Sequence, residues 1–406
     1  MKMIILLLVI TINIYASNTK TIYKWDTFIQ KAVDASLILR QNDAQLLIQK
    51  SKIAQSTLLE NPTLEISFDN GLENSIDYTY LEFTQKLPAF GERRLKKGVS
   101  LSYLESEQYS KDTTLLKIQY QAASLFQEIY FLKKQIDIVN QQLIEIKDLQ
   151  KKSKNRKDLG EISGFENSRI DILKQQVSMK KQKLENNYLK LILETQSLLN
   201  VDNEILISGD IIKSKEDEIE VLINSLKKSP EYLKYKAELK ATKQELQLVK
   251  ATRYTQPELY VYSERDLNIN NSVDNTYGFG FRLSIPLWDT KENKMEMQNA
   301  KIQKSGIKAQ EVLYKLQRNV SGYHKLYQNT TLQAEKYKIN LLKPSKEYYE
   351  TSVLLFELGE SSFLELLDAQ ALYFQSQYEH QSLISQSHIY WLKLCSAANI
   401  NLLKDN

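Results

Sequence analysis

Few residues of this 406-residue chain have the chemistry for catalysis or metal binding. The single cysteine, Cys395, excludes an intramolecular disulfide and a cysteine-based zinc cage. His324, His380 and His388 are the only histidines, too little material for a histidine metal site or a histidine-driven catalytic centre. His388 and Cys395 stand seven apart, so on one helix two turns, about 10 Å, separate them and no single ion bridges them. No glycine-rich loop follows a strand and no nucleophile elbow appears. The expectation is a protein with no enzymatic activity and no cofactor. Charge is the chemistry left. Glu365 and Asp368, three apart, share a face if their segment is helical, although acids near a helix N-terminus also simply suit its dipole. Arg282 alternates in phase with Gly278 and Gly280, so in a strand the three share one side.

Composition says what kind of element holds these charges. Lys and Arg total 54 against 50 Asp and Glu, a formal charge of +4, without the concentrated basic patch of a nucleic-acid protein. With 42% hydrophobic and 26% charged residues the chain can bury a core. Only 11 Gly and 6 Pro punctuate it. At the start, Lys2, the apolar run Ile4 to Ile10 and the exit at Ala16 form a targeting signal, expected to occupy residues 1–16. The run is too short to span a bilayer as a helix, and no cysteine near its end offers a lipid anchor. No transmembrane helix is expected in the remaining chain.

From Gly98 to Gly160, and again from Gly164 to Gly209, no Gly or Pro intervenes. In the first stretch Leu115, Ile118, Ala122, Leu125, Ile129, Leu132, Ile136, Val139, Leu143 and Ile146 step by alternating threes and fours. That heptad stripe predicts a coiled-coil seam. A helix from Val99 to Leu159 would be roughly 90 Å long, which no compact globule contains.

The breaks between rods repeat. Asn61-Pro62 is echoed by Gln256-Pro257, Leu87-Pro88 by Ile285-Pro286, and Leu159-Gly160-Glu161 by Leu358-Gly359-Glu360, at offsets of 195, 198 and 199. Three landmarks in one order predict a tandem duplication, residues 17–208 and 209–406. Each half holds a helix, a β-hairpin (about 62–88 and 257–286) and long helices with a turn (160–164 and 358–362). The hairpins alternate. Tyr277, Phe279, Phe281, Leu283 and Ile285 interleave with small or polar residues, as do Leu64, Ile66 and Phe68. Strands of about 9 to 11 residues are the length that crosses a membrane in a tilted barrel. Tyr78, Tyr80, Tyr260, Tyr262, Phe281 and Trp288 suit interfacial girdles and strand packing equally. Four strands cannot close a barrel, so several copies must pool them.

This order, with Asn61-Pro62, Leu87-Pro88, Ile285-Pro286-Leu287-Trp288 and the segment from Leu358-Gly359-Glu360-Ser361-Ser362 to Gln370, resembles the outer-membrane efflux protein family, the TolC-like ducts of Gram-negative bacteria. The resemblance covers essentially the whole chain after the signal. It implies a mainly α protein with a small β part: a coiled-coil helical barrel plus four strands per chain in a homotrimeric, 12-stranded barrel in outer-membrane lipid. It also implies a passive conduit working with a periplasmic adaptor (membrane fusion) protein and an inner-membrane pump of RND or ABC type. Glu365 and Asp368 match the acids that ring the closed periplasmic mouth of such tunnels. Gly160, Glu161, Ser163, Gly359, Glu360, Ser361 and Ser362 mark the tips where an adaptor docks. Arg282 would line the barrel lumen. The rival from another class is a soluble periplasmic coiled-coil scaffold or adaptor, which explains the rods but not the strand alternation.

Overall fold

A computed structural model describes residues 21–70, 76–158, 164–211, 218–253, 256–267 and 273–403. The expected signal and the first inter-rod turn, with Gly160, Glu161 and Ser163, lie outside the described residues. The element order is β1 (Thr21–Tyr23), α1 (Trp25–Ala35), α2 (Leu37–Ser56), β2 (Thr63–Asn70), β3 (Ile76–Lys86), α3 (Glu92–Asp158), α4 (Gly164–Leu199) and β4 (Ile205–Ile207). It continues with α5 (Ile219–Ser225), α6 (Pro230–Ala251), β5 (Pro257–Leu267), β6 (Val273–Leu283), α7 (Glu292–Tyr337), α8 (Lys343–Leu358) and α9 (Phe363–Ala398).

The heptad stripe of α3 is buried where it was expected: Ile118, Ala122, Leu125, Ile129, Leu132, Val139 and Ile146 all face neighbouring helices. The helix has 67 residues and so spans about 100 Å. It begins seven residues before the expected Val99, because Gly98 does not break it. Gln244 of α6 lies against Gly98, where an added Cβ would stand 3.3 Å from the Gln244 Nε2. The missing side chain thus serves helix–helix approach rather than termination. Glu92 fixes the start, its carboxylate accepting the Ala89 N–H at 2.8 Å.

The second rod, Glu292 to Leu358, is also 67 residues long, but it is α7 and α8 joined by a π turn at Lys338–Leu342. Pro344 in the first turn of α8 has no N–H to donate, and its ring crowds the carbonyl four residues back; the wider turn absorbs the fault without ending the rod. The returning helices α4 and α9 have 36 residues each.

Two features depart from the sequence reading. The first helix, expected unbroken from Trp25 to about Leu59, is split at Ser36, which is extended (ψ 113°) while its Oγ accepts the Leu39 N–H at 3.3 Å. Ser229 does the same before α6, accepting from the Tyr232 N–H at 3.4 Å. Secondly, β1 and β4 form a short parallel pair from Thr21↔Ile205 to Tyr23↔Ile207, beyond the four expected strands. This pair closes one end of the largest core, where Trp25 and Phe28 stand edge-on to Phe126 at 5.4 and 5.5 Å.

The other sheet has the order β2-β3-β5-β6, antiparallel throughout, so the pairing of β3 with β5 joins the two hairpins. Below it α2, α3, α6 and α7 follow in the same order as their strands. Because Phe126 is wholly buried between two aromatic neighbours, Phe126→Ala is expected to cost about 3–5 kcal/mol. A denaturant midpoint followed by far-ultraviolet circular dichroism checks this; an unchanged midpoint would deny that this cluster anchors α1 to α3.

Candidate functional site

The four-stranded sheet has two unlike faces. On one, Leu64, Ile66, Phe68, Leu81, Phe83, Leu259, Val261, Tyr277, Phe279, Phe281 and Leu283 are between 42 and 88% exposed, with no second layer over them among the described residues. The opposite face carries the charges. There Glu82, only 4% exposed, accepts hydrogen bonds from the Tyr80 hydroxyl (2.5 Å), the Thr84 hydroxyl (2.7 Å) and Arg282 Nη2 (3.2 Å). Arg282 also reaches Glu258 at 3.4 Å and lies over the Tyr260 ring at 4.9 Å. Arg282 is therefore held between two carboxylates on the polar face, in phase with Gly278 and Gly280.

Those glycines are required by their cross-strand partners. The Tyr262 and Tyr260 rings lie flat across Gly278 and Gly280, where an added Cβ would stand 2.4 and 2.2 Å from ring atoms. Tyr78 stacks on Tyr80 at 6.5 Å and Tyr80 on Tyr262 at 5.9 Å, so all four tyrosines belong to the polar face. An interfacial girdle does not describe them. Phe281 sits on the apolar face, and Trp288 lies beyond the strand, 92% exposed.

At the other end of the rods the second turn is built by backbone rules. Gly359 ends α8 with φ 79°, a left-handed conformation suited to glycine, and the Glu360 N–H donates back to the Leu355 oxygen at 2.9 Å. Ser362 caps α9, its Oγ accepting the Glu365 N–H (3.2 Å), while Glu365 Oε2 accepts the Ser362 N–H (3.0 Å) and the Ser361 hydroxyl (2.8 Å). These bonds, the Ser362 backbone N–H first, hold the Glu365 carboxyl below the usual glutamate range. Asp368, one turn on, pairs with Arg169 of α4 at 3.0 Å. Beneath them Phe363, Leu366 and Leu367 pack on Phe356. Sequence reasoning overlooked Arg169. The offset of 199 was its signal, since it stands in the first half where Asp368 stands in the second. His388 packs edge-on to Phe131 at 5.0 Å and Cys395 is buried. No cluster of three or more His, Cys, Asp or Glu fit for a metal occurs among the described residues.

The architecture is that of the TolC-like outer-membrane channels. The outer membrane protein VceC from Vibrio cholerae superposes with a TM-score of 0.78 at 14% identity, over 92% of this chain and 95% of VceC. The open-state MtrE outer membrane channel of Neisseria gonorrhoeae gives 0.75 at 12% identity, over 94% of this chain and 90% of its own. The CmeC outer membrane channel of Campylobacter jejuni gives 0.71 at 12%, over 92% and 85%. No family profile matches the sequence, and no curated protein matches it. At such identities the likeness is one of fold.

The capping carboxylate makes the tip sensitive to pH. Because the folded-state pKa of Glu365 is depressed, its stabilisation is complete above the unfolded value near 4.5 and is lost as pH falls through the lower folded value. Hydrogen exchange of the amides at Ser362 to Leu366, corrected for intrinsic rates, is expected to show constant protection above about pH 5 and falling protection below it. Glu365→Gln, still able to accept, should flatten that profile; an unchanged profile would separate the cap from the carboxylate.

Proposed function

We propose that this chain is the outer-membrane duct of a tripartite efflux or type I export system, a passive conduit through which an inner-membrane pump drives its cargo. The observation that carries this reading is the sheet turned inside out: an uncovered apolar face backed by a face of charges and hydroxyls. Water does not reward such a sheet, whereas lipid outside and an aqueous lumen inside do. Its edge strands β2 and β6 cannot face hydrocarbon unpaired, so closure requires other copies. Three chains give 12 strands. The uncovered heptad Phe165, Ile172, Met179 and Leu193 on α4 supports a helical neighbour from another copy in the same homotrimer.

Tandem duplication is supported by the equal rods, the equal return helices and the matching Ser36 and Ser229 caps. With signal residues 1–16, this reading puts the protein in the outer membrane of a Gram-negative bacterium with its rods in the periplasm. The tips, including Gly359, Glu360, Ser361 and Ser362, would meet a periplasmic adaptor of an RND- or ABC-type pump. Glu365 and Asp368 would ring the periplasmic mouth, six carboxylates about one axis, with Arg169 latching α9 to α4. Arg282 would belong to the lumen wall.

Purified protein in planar bilayers should give trimeric, cation-selective channels with long-lived openings. Removing Glu365 and Asp368 together by alanine substitution should raise conductance and weaken block by multivalent cations. Arg169→Ala should raise conductance yet keep the block, because the carboxylates remain. Unchanged conductance and block would remove the gate assignment alone. A soluble monomer or dimer without conductance would instead support the coiled-coil scaffold.

A further inference from the structure

Just below the sheet the chain presents exposed aromatic and cationic side chains. Phe90, between β3 and α3, and Trp288, between β6 and α7, are 102% and 92% exposed. Arg94 and Lys97 open α3, and Lys243 and Lys250 lie near the end of α6; all four are exposed. No carboxylate lies within 4 Å of any of them among the described residues.

Handedness fixes which way these cations point. The Leu87 N–H donates to the Pro257 oxygen directly opposite it (2.8 Å), so the odd-numbered residues of β3 turn their backbone groups to β5. Their side chains form the apolar face. For L-residues it follows that, seen from that face with β3 running down, β5 lies to its left. Helix α6 therefore lies left of α3. A right-handed helix descending with Gly98 and Ser102 turned left toward Gln244 presents Arg94, Lys97 and Leu101 to the viewer. The ascending α6, with Gln244 turned right, presents Lys243 and Lys250. The four cations thus share the outer side with the lipid-facing residues of the sheet, within about two turns of the helix ends nearest to it.

We propose that this collar binds the headgroups of anionic phospholipids in the membrane leaflet at the base of the sheet. The inference rests on the barrel reading above. An acidic protein could also meet cations, but the exposed rings of Phe90 and Trp288, in the links between the sheet and the helices α3 and α7, fit a bilayer interface, where rings sit at headgroup level. Cations on long stems then reach phosphate from below.

Trp288 supplies its own probe. Of the three tryptophans it alone is exposed, Trp25 and Trp391 being buried. The full chain would be reconstituted into phosphatidylcholine vesicles carrying either brominated phosphatidylglycerol or brominated phosphatidylcholine at equal mole fraction. Trp288 fluorescence should show several-fold enrichment of the brominated phosphatidylglycerol at low salt, falling toward parity at about 0.5 M salt. Replacing Arg94, Lys97 and Lys250 together by Gln should abolish the preference while leaving quenching by brominated phosphatidylcholine intact. Equal quenching by both lipids would overturn the collar and leave the barrel standing. Quenching by neither would overturn both. A preference that survives the triple substitution would assign the lipid to other residues and overturn the collar.

Discussion

Among the described residues the sheet β2-β3-β5-β6 presents an uncovered apolar face and two unpaired edges, and the arrangement of the helices below it answers to that pair of facts. In water such a sheet would associate face to face and edge to edge. In hydrocarbon an open edge leaves several backbone groups unsatisfied, each costing kcal/mol. In the proposed barrel, closure with strands of other copies would satisfy both demands. The helices keep the order of the strands they join: α2, α3, α6 and α7 lie side by side below the sheet, α2 and α6 running toward it and α3 and α7 away from it.

Equal lengths follow from the same geometry. Two rods hung from one sheet must reach the same level before they reverse, or the shorter would leave the longer one's apolar stripe bare. Both rods have 67 residues, although only one is a continuous α-helix. The π turn before Pro344 shows how firmly length and direction are held: the chain accepts a local fault rather than a kink. At the tip the equality has a chemical product. Positions 169 and 368 are counterparts in the two halves, and one is basic and the other acidic, so the two returning helices are joined by a charge pair at matching heights.

Most of this was legible because its signals are periodic. The threes and fours from Leu115 to Ile146 named a seam, and the twos from Tyr277 to Ile285 named a strand with one apolar face. What stayed hidden depends on single contacts. Ser36 is an unremarkable residue for a helix interior until its hydroxyl turns to cap Leu39. Gly98 looks like a terminator, and only Gln244 across the interface explains it. The β1–β4 pair joins segments of three residues nearly two hundred apart, too short for any period to show. The site divides along the same line. Glu365 and Asp368 share a helix face by spacing alone, whereas the Arg169 contact is tertiary.

The tyrosines of the polar face show how a sheet can be stiffened by rings that lie flat on it. A tyrosine standing upright on the polar face would project well beyond the sheet, yet four of them occur there. Tyr260 and Tyr262 instead lie down on Gly280 and Gly278, the two places in β6 where no Cβ opposes a ring. Tyr80 then stacks on Tyr262, and its hydroxyl is spent on Glu82, which Arg282 also holds. Aromatic contact and charge pairing therefore run along the sheet, across β3, β5 and β6, rather than away from it. As the wall of the proposed duct such a face would suit passage, because its strongest binding groups are already engaged with one another.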